Sequence, residues 1–366
     1  MVLGCRADSC RSGSSGRSTV IHDEAVLAST DEQAAVLDAV ARSGARLIAV
    51  GDPHQNQPVG AGGLWTAIET SARDNDFHVE LTFNQRAHNP LDQRDQALFR
   101  DGRGEHAIRG YAARDHITFG HEQRVVEDRA LEAAHADRTA GLTTLVIVQT
   151  SNERLDELNA RAQAIRAQAG ELGDDGLPVP GRPYELHEAD EVQVRHTLGA
   201  GDDRPALRNG TTAAVDGVDI VEGHVSLRLG SGDIVVLDRQ DVEDADLRLA
   251  YVQHPFPAQG QTVDTVHLIV ADHSTYEGTY VALTRARQRT DLYATETPER
   301  EPGVDRLQEF AERIGRSEPE MPSIAVSLAH ENRVERVADR ARELEPALAV
   351  RDAQGVRVIG RDGAER

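Results

Sequence analysis

Apolar and polar positions alternate with two different periods along this chain, and the change of period marks its elements. From Val20 the sequence reads V-I-H-D-E-A, then roughly twenty residues of amphipathic pattern, then L-I-A-V-G-D-P-H-Q ending at Gln55. Both short apolar runs stop abruptly at acidic residues. A buried parallel strand delivers carboxylates to the carboxyl edge of an α/β sheet in this way. Between the runs, Thr30 and Gln33 predict a capping box, Val36, Leu37, Val40 and Ala41 an apolar stripe, and Gly44 a C-cap. The unit therefore reads strand, helix, strand.

A Gly-rich turn, N-Q-P-V-G-A-G-G-L-W, leads into a helix from about Leu64 that buries the only tryptophan, Trp65. Leu81 to Arg86, L-T-F-N-Q-R, follows a short strand and opens into charge-rich helices. Leu145 to Val148 predicts a buried strand, and Ser151 caps a helix carrying Leu155, Leu158, Ala162 and Ile165 on one face to about Gly170. Gly170 to Pro183 reads as an exposed connection. From Tyr184 to Leu249 short alternating strands around the turn G-S-G-D predict a small β-barrel-like insertion. The α/β pattern then resumes. Ala258-Gln259-Gly260 feeds a buried strand ending near Val270, and Y-V-A-L-T-R-A-R from Tyr280 to Arg287 runs as helix or turn into the strand D-L-Y-A-T. Residues 1–18, rich in Gly, Ser and Arg, are expected to be disordered. After about Pro298 the sequence predicts polar amphipathic helices and a weak terminal hairpin, with no chemistry in them.

Composition narrows this picture. A chain of 366 residues suits two domains, or one large domain with an insertion. Its net charge of -22 argues against indiscriminate coating of nucleic acid or anionic membrane, so any nucleic-acid contact must be focused in a groove. Every basic residue is Arg. With no Lys present, neither Schiff-base chemistry nor a P-loop lysine is available from these residues. Cys5 and Cys10 have no second pair to complete a zinc site, so no zinc is expected. No run reaches membrane-spanning length and no signal-peptide core is apparent, which makes a cytoplasmic setting the default.

Five groups of residues carry candidate chemistry. Asp23 and Glu24 at a strand end suit nucleotide hydrolysis, the Asp holding Mg²⁺ and the Glu taking a proton from water; a helix-capping acidic pair is the alternative. Asp52 and Gln55 end the neighbouring strand. Arg285 and Arg287, just after a Thr, suit a polyphosphate, against a salt-bridged surface helix. On spacing alone Arg86 reads as a surface residue. Arg208 and Asn209, at the insertion rim, form either a turn or a nucleic-acid contact. G-S-S-G-R-S, with Arg17 where a P-loop has Lys, is set aside because the next strand starts within three residues.

In order, D-E-A, G-D-P-x-Q, L-T-x-N-x-R, A-Q-G-x-T-x-D and Y-V-A-L-T-R-A-R resemble the later motifs of superfamily 1 helicases. The order and spacing are similar to the RecD-like branch, especially the helicase region of conjugative relaxases of the TraI/TrwC type (the MobF family, TraA-like), over roughly Val20 to Pro319. The resemblance implies RecA-like P-loop NTPase lobes: a partial first lobe over 19–80, a second over 81–301 with an SH3-like β-barrel insertion at about 184–249, and a helical extension over 302–366. It implies ATP and Mg²⁺, with Asp23 on the metal, Glu24 activating water, Gln55 sensing the γ-phosphate with Asp52 and Arg287 near the nucleotide, and Arg86 and Arg285 stabilising phosphoryl charge. Single-stranded DNA is the implied partner, met by Arg208, Asn209, Gln259 and Thr262.

Two departures qualify it. The family's G-K-T loop lies upstream of D-E-A, which suggests an N-terminally truncated helicase whose partner would be the missing relaxase and helicase half. H-P-F-P stands before Ala258 where many relatives carry His-Lys. The competing expectations are a helicase fragment, a non-catalytic DNA-binding or interaction remnant, and a RecD-like repair subunit.

Overall fold

The computed structural model describes residues 18–56, 58, 65–81, 84–201, 204–296 and 305–317. The Gly/Ser/Arg-rich tail up to residue 17, both cysteines, Gly60 to Leu64, and the last helix and hairpin after residue 317 lie outside the described residues. The described chain forms two compact units, one from residues 18–53 and 58–79, the other from 54–56 and 80–317.

The first unit is the strand, helix, strand module. Strands β1 (Thr19–His22) and β2 (Arg46–Ala49) pair in parallel, Thr19 against Arg46, across helix α1 (Thr30–Ser43). The capping box falls one residue earlier than its expected place. Ser29 accepts from the Glu32 amide while the Glu32 carboxylate accepts from the Ser29 amide, and Gly44 closes the helix at φ 65°. Gln33 is thereby freed to lie buried and donate to the Ala25 carbonyl at 2.8 Å. Helix α2 (Trp65–Asp74) seats Trp65 on Ala25 and Val26. Contrary to expectation, the strands are not buried: Ile21 is 64% and Ile48 41% exposed. A two-stranded sheet has too few neighbours to cover both faces, and no described residue does so. The strand expected before Arg86 is also missing. Phe77, Val79 and Leu81 alternate correctly, yet this stretch pairs with no described strand and all three side chains are more than four-fifths exposed.

The second unit opens with helices α3 (Pro90–Arg100) and α4 (Gly104–Ala112), then strand β3 (Ile117–Gly120), helix α5 (Gln123–Thr139), strand β4 (Thr144–Val148) and helix α6 (Asn152–Gln168). Ser151 caps α6 by accepting from the Arg154 amide. The supposed exposed connection instead holds β5 (Gly176–Pro178), which pairs with β6 (Glu185–His187) and buries Leu177. An antiparallel sheet follows, formed by β7 (Glu191–Gln193), β8 (Thr212–Asp219), β9 (His224–Leu229) and β10 (Ile234–Leu237), then helix α7 (Arg239–Asp244) and β11 (Arg248–Leu249). Its spatial order is β10-β9-β8-β7-β11.

The chain then returns through β12 (Val252–Gln253), α8 (Pro255–Ala258), β13 (Val263–Val270), α9 (Tyr276–Leu283), β14 (Ala286–Thr295) and α10 (Arg306–Ile314). Strands β12-β4-β13-β14-β3 make a wholly parallel sheet. From Thr265 on, β13 is buried on both faces, which is why it reads as a near-continuous apolar run. One face packs on α5, α6 and the antiparallel sheet, the other on α3, α4, α9 and α10. The unit is therefore an α/β arrangement around a wholly parallel sheet.

Candidate nucleotide and nucleic-acid site

In the first unit the carboxyl ends of β1 and β2 are laced together. The Val50 amide donates to the His22 carbonyl at 2.9 Å, and the Ala25 amide to the Val50 carbonyl at 2.8 Å. This turn forces Glu24 to φ 51°, a left-handed conformation uncommon outside Gly, while its amide donates to Asp23 Oδ1 at 3.0 Å. Gly51 keeps the second strand end close, since a Cβ there would stand 3.1 Å from both the Trp65 ring and the Val26 nitrogen. Asp23, Glu24 and Asp52 thus leave adjacent parallel strands at the same edge. Among the described residues no group of three or more metal-ligating side chains forms a cage. A hydrated Mg²⁺ fits such an edge, because it takes few protein carboxylates and draws the rest of its shell from water and phosphate.

In the second unit the arginines gather at the amino ends of β13 and β14. Arg86 Nε donates to Thr262 Oγ1 at 2.9 Å and its Nη1 to the Thr284 carbonyl at 2.7 Å, so this half-buried residue is no free surface arginine. Arg285 is 1% exposed. Its Nε donates to the Val281 carbonyl and its Nη2 to Thr284 Oγ1, both at 3.0 Å, which fixes the guanidinium against the end of α9. Sequence reasoning missed the frame around them. Asn84 accepts from the Arg86 amide at 2.9 Å and donates to Gln96, which in turn donates to the Leu283 carbonyl at 2.7 Å. The signal was present in the polar positions of L-T-F-N-Q-R, where Asn84 caps its own loop.

Residues 54–56 belong to this same unit. His54 Nδ1 lies 3.0 Å from the Tyr276 hydroxyl, its ring stands edge-on to Tyr276 and Tyr280, and Asn56 donates to Gln259 at 3.3 Å. The half-buried Gln55 is therefore held beside α8 and α9. Thr262, expected on the DNA strand, shares its hydroxyl with Arg86. Arg287 lies 3.7 Å from Asp264, and its carbonyl accepts from the His88 amide. Arg208 and Asn209 are exposed in the turn before β8, where the Asn209 amide donates to Thr197. Their contacts remain on the rim of the antiparallel sheet, while those of Gln259 and Thr262 are with Asn56 and Arg86.

Residues 6–122 match the AAA domain family. The particular likeness is to conjugal transfer proteins named TraA. The chain is 26% identical to that of Agrobacterium fabrum over 76% of its own length and to that of Rhizobium radiobacter over 75%. It spans about a quarter of those relatives, 24% of each. Among solved structures, the Pif1 helicase from Candida albicans aligns over 86% of this chain and 76% of that one, at 17% identity and a TM-score of 0.46. A Bacteroides Pif1 helicase solved with ADP-AlF3 and single-stranded DNA aligns over 87% of this chain and 75% of that one, at 17% identity and a TM-score of 0.44. The chain is thus similar to TraA conjugal transfer proteins, a likeness that its motif series also implied. No described helix is long and apolar enough to cross a membrane.

Proposed function

We propose that this chain is part of an ATP-dependent DNA helicase that acts on single-stranded DNA in conjugative transfer. The fixed pair Arg86 and Arg285 carries this reading. A guanidinium buried to 1% exposure and held by its own helix end is costly to desolvate, and its place in Y-V-A-L-T-R-A-R matches the family's phosphate-facing position. Bound ATP with Mg²⁺ would supply the phosphoryl group and its neutralising charge. Asp23 would hold the metal's water shell and Glu24 would accept the proton of the attacking water. Gln55, Asp52 and Arg287 would contact the nucleotide, and the two arginines would draw charge from the phosphoryl oxygens. The antiparallel sheet is read as the family's SH3-like insertion, with Arg208, Asn209, Gln259 and Thr262 toward the strand. The absence of Lys favours a second reading, a DNA-binding remnant without hydrolysis.

Titration of a labelled single-stranded oligonucleotide at low salt, beside ATP turnover with and without that strand, tests both readings. We expect binding that falls steeply with salt and turnover near background, because P-loop amides and Lys supply most of the phosphate cradle. Strand-stimulated turnover abolished by Glu24→Gln would show a complete ATPase. No strand binding at low salt would remove the DNA assignment.

A further inference from the structure

A second anion-seeking place lies at the opposite, carboxyl edge of the parallel sheet, where β4 and β12 end and α6 begins. Arg248 on β11 pairs directly across from Gln193 on β7, so their side chains share one face, and Arg195 follows two residues after Gln193. Gln193 is 3% exposed, and its Nε2 is buried without a hydrogen-bond acceptor. The Nη1 of Arg248 is likewise buried without one, its nearest carboxylate oxygen, on Asp156, being 3.6 Å away. Arg195 is half-buried, and its guanidinium forms no hydrogen bond or ion pair among the described residues.

The nearby carboxylates are committed elsewhere. Arg182 bridges Asp156 at 2.8 Å and Asp246 at 2.6 Å, and Asp246 also takes Arg248 Nη2 at 2.7 Å. Glu153, in the first turn of α6, feels Arg248 and Arg182 weakly. His254 points its Nδ1 at the Val148 carbonyl and offers no negative charge. Burial and the repulsion of Arg248 outweigh the attraction of Asp246 and Asp156 and push the Arg195 guanidinium below its usual range. Buried donors without acceptors each cost on the order of 1–3 kcal/mol. Gln193 Nε2 and Arg248 Nη1 are two such donors on one face of a strand pair, and beside the carboxyl edge where α/β folds bind ligands they call, with the nearby Arg195 guanidinium, for an incoming acceptor.

We infer that Gln193, Arg195 and Arg248 form an oxyanion site that takes a backbone phosphate of a single-stranded nucleic acid. This deepens, and in its DNA part rests on, the proposed function. A planar guanidinium and an amide N–H suit a phosphodiester, whose two free oxygens accept in a fork. The site extends the strand's path to a place that none of the helicase-like motifs marks.

The test uses the full chain, Arg195→Gln and Arg195→Lys. Inorganic phosphate at constant ionic strength should raise the unfolding midpoint of the parent and of Arg195→Lys, and leave Arg195→Gln unmoved. With a labelled oligonucleotide, Arg195→Gln should flatten the slope of log K against log salt by about 0.7, one single-strand phosphate. An equal phosphate response in parent and Arg195→Gln overturns the site, whether or not the strand binds. A phosphate response lost in Arg195→Gln, with no strand bound by the parent, keeps the oxyanion site and overturns the nucleic-acid assignment. Because Arg195 gives up no partner, Arg195→Gln should fold as the parent does, and Arg195→Lys shows whether charge alone suffices.

Discussion

Asp137→Asn should unlock the helix that backs the parallel sheet. Asp137, on α5, accepts from His267 Nε2 on β13 at 2.9 Å and from Arg289 Nη2 on β14 at 2.6 Å, so one carboxylate ties a helix to two strands. His267 is wholly buried and its other ring nitrogen meets the Tyr293 hydroxyl at 3.1 Å. Burial alone would raise the Asp137 carboxyl, but hydrogen bonds from His267, Thr265 and Arg289 outweigh it and hold the group well below the usual carboxylate range. Charged hydrogen bonds contribute about 1.5–3 kcal/mol each, and Arg289 is one-third exposed, so its share is discounted. Asn keeps the shape and one acceptor, which leaves an expected loss of about 2–3 kcal/mol. For a unit of this size that is a fall of roughly 5–10 °C in midpoint. All six tyrosines lie in the second unit and Trp65 in the first, so tyrosine near-ultraviolet dichroism reports this loss while tryptophan fluorescence serves as control. Because the folded pKa is depressed, the stabilisation is present above the unfolded value of about 4 and is lost as pH falls toward the folded one. The gap between parent and variant should therefore close in acid. A midpoint within about 2 °C of the parent at neutral pH, or a gap that widens in acid, would refute the reasoning.

Two further outcomes are expected. Gly110→Ala should destabilise the second unit by about 2–4 kcal/mol, read in a urea titration, since its Cβ would stand 2.1 Å from the Asp95 carboxylate that Arg114 holds at 2.6 Å in a buried pair; an unchanged midpoint would mean the α3–α4 contact yields freely. Burial lowers the His254 pKa, so the folded state resists protonating it and stability should decline as pH falls below about 6.5. His254→Gln should flatten that decline, and a slope unaltered by the substitution would assign it to other histidines.

Periodicity revealed those elements whose burial is uniform along their length. α6 was legible because its apolar positions meet one core, and β4 and β13 because both of their faces are buried, against two different cores. The α1 cap was misplaced by one residue because Ser29, Thr30, Glu32 and Gln33 offer two boxes in overlapping register; the Ala25 carbonyl decides between them by recruiting Gln33. The short strand expected ahead of L-T-F-N-Q-R is not formed: Phe77, Val79 and Leu81 alternate, but alternation states a preference and a strand needs a partner. β5 was hidden because Gly and Pro mark turns locally, whereas its pairing with β6 spans the loop. Arg86 and Arg285 could be named from motifs, yet their burial could not, since it comes from Thr262, Thr284 and Gln96, which are far apart along the chain.

The acidic total is reconciled with the proposed anionic partner by how the arginines are used. Arg114 spans Asp92 and Asp95, Arg161 spans Glu127 and Asp128, and Arg182 spans Asp156 and Asp246. A planar guanidinium can satisfy two carboxylates at once with fixed geometry, which a compact ammonium does poorly, so a lysine-free chain can bury much of its negative charge in such bridges. What reaches a ligand is then decided by the few arginines left over, not by the sum. Arg195, half-buried beside other cations, and Arg208, exposed at the sheet rim, are such residues, and no described carboxylate pairs with either. A net charge of -22 sets the long-range field and slows the approach of a strand. Once the strand is within a Debye length, about 8–10 Å, these local donors govern the contact.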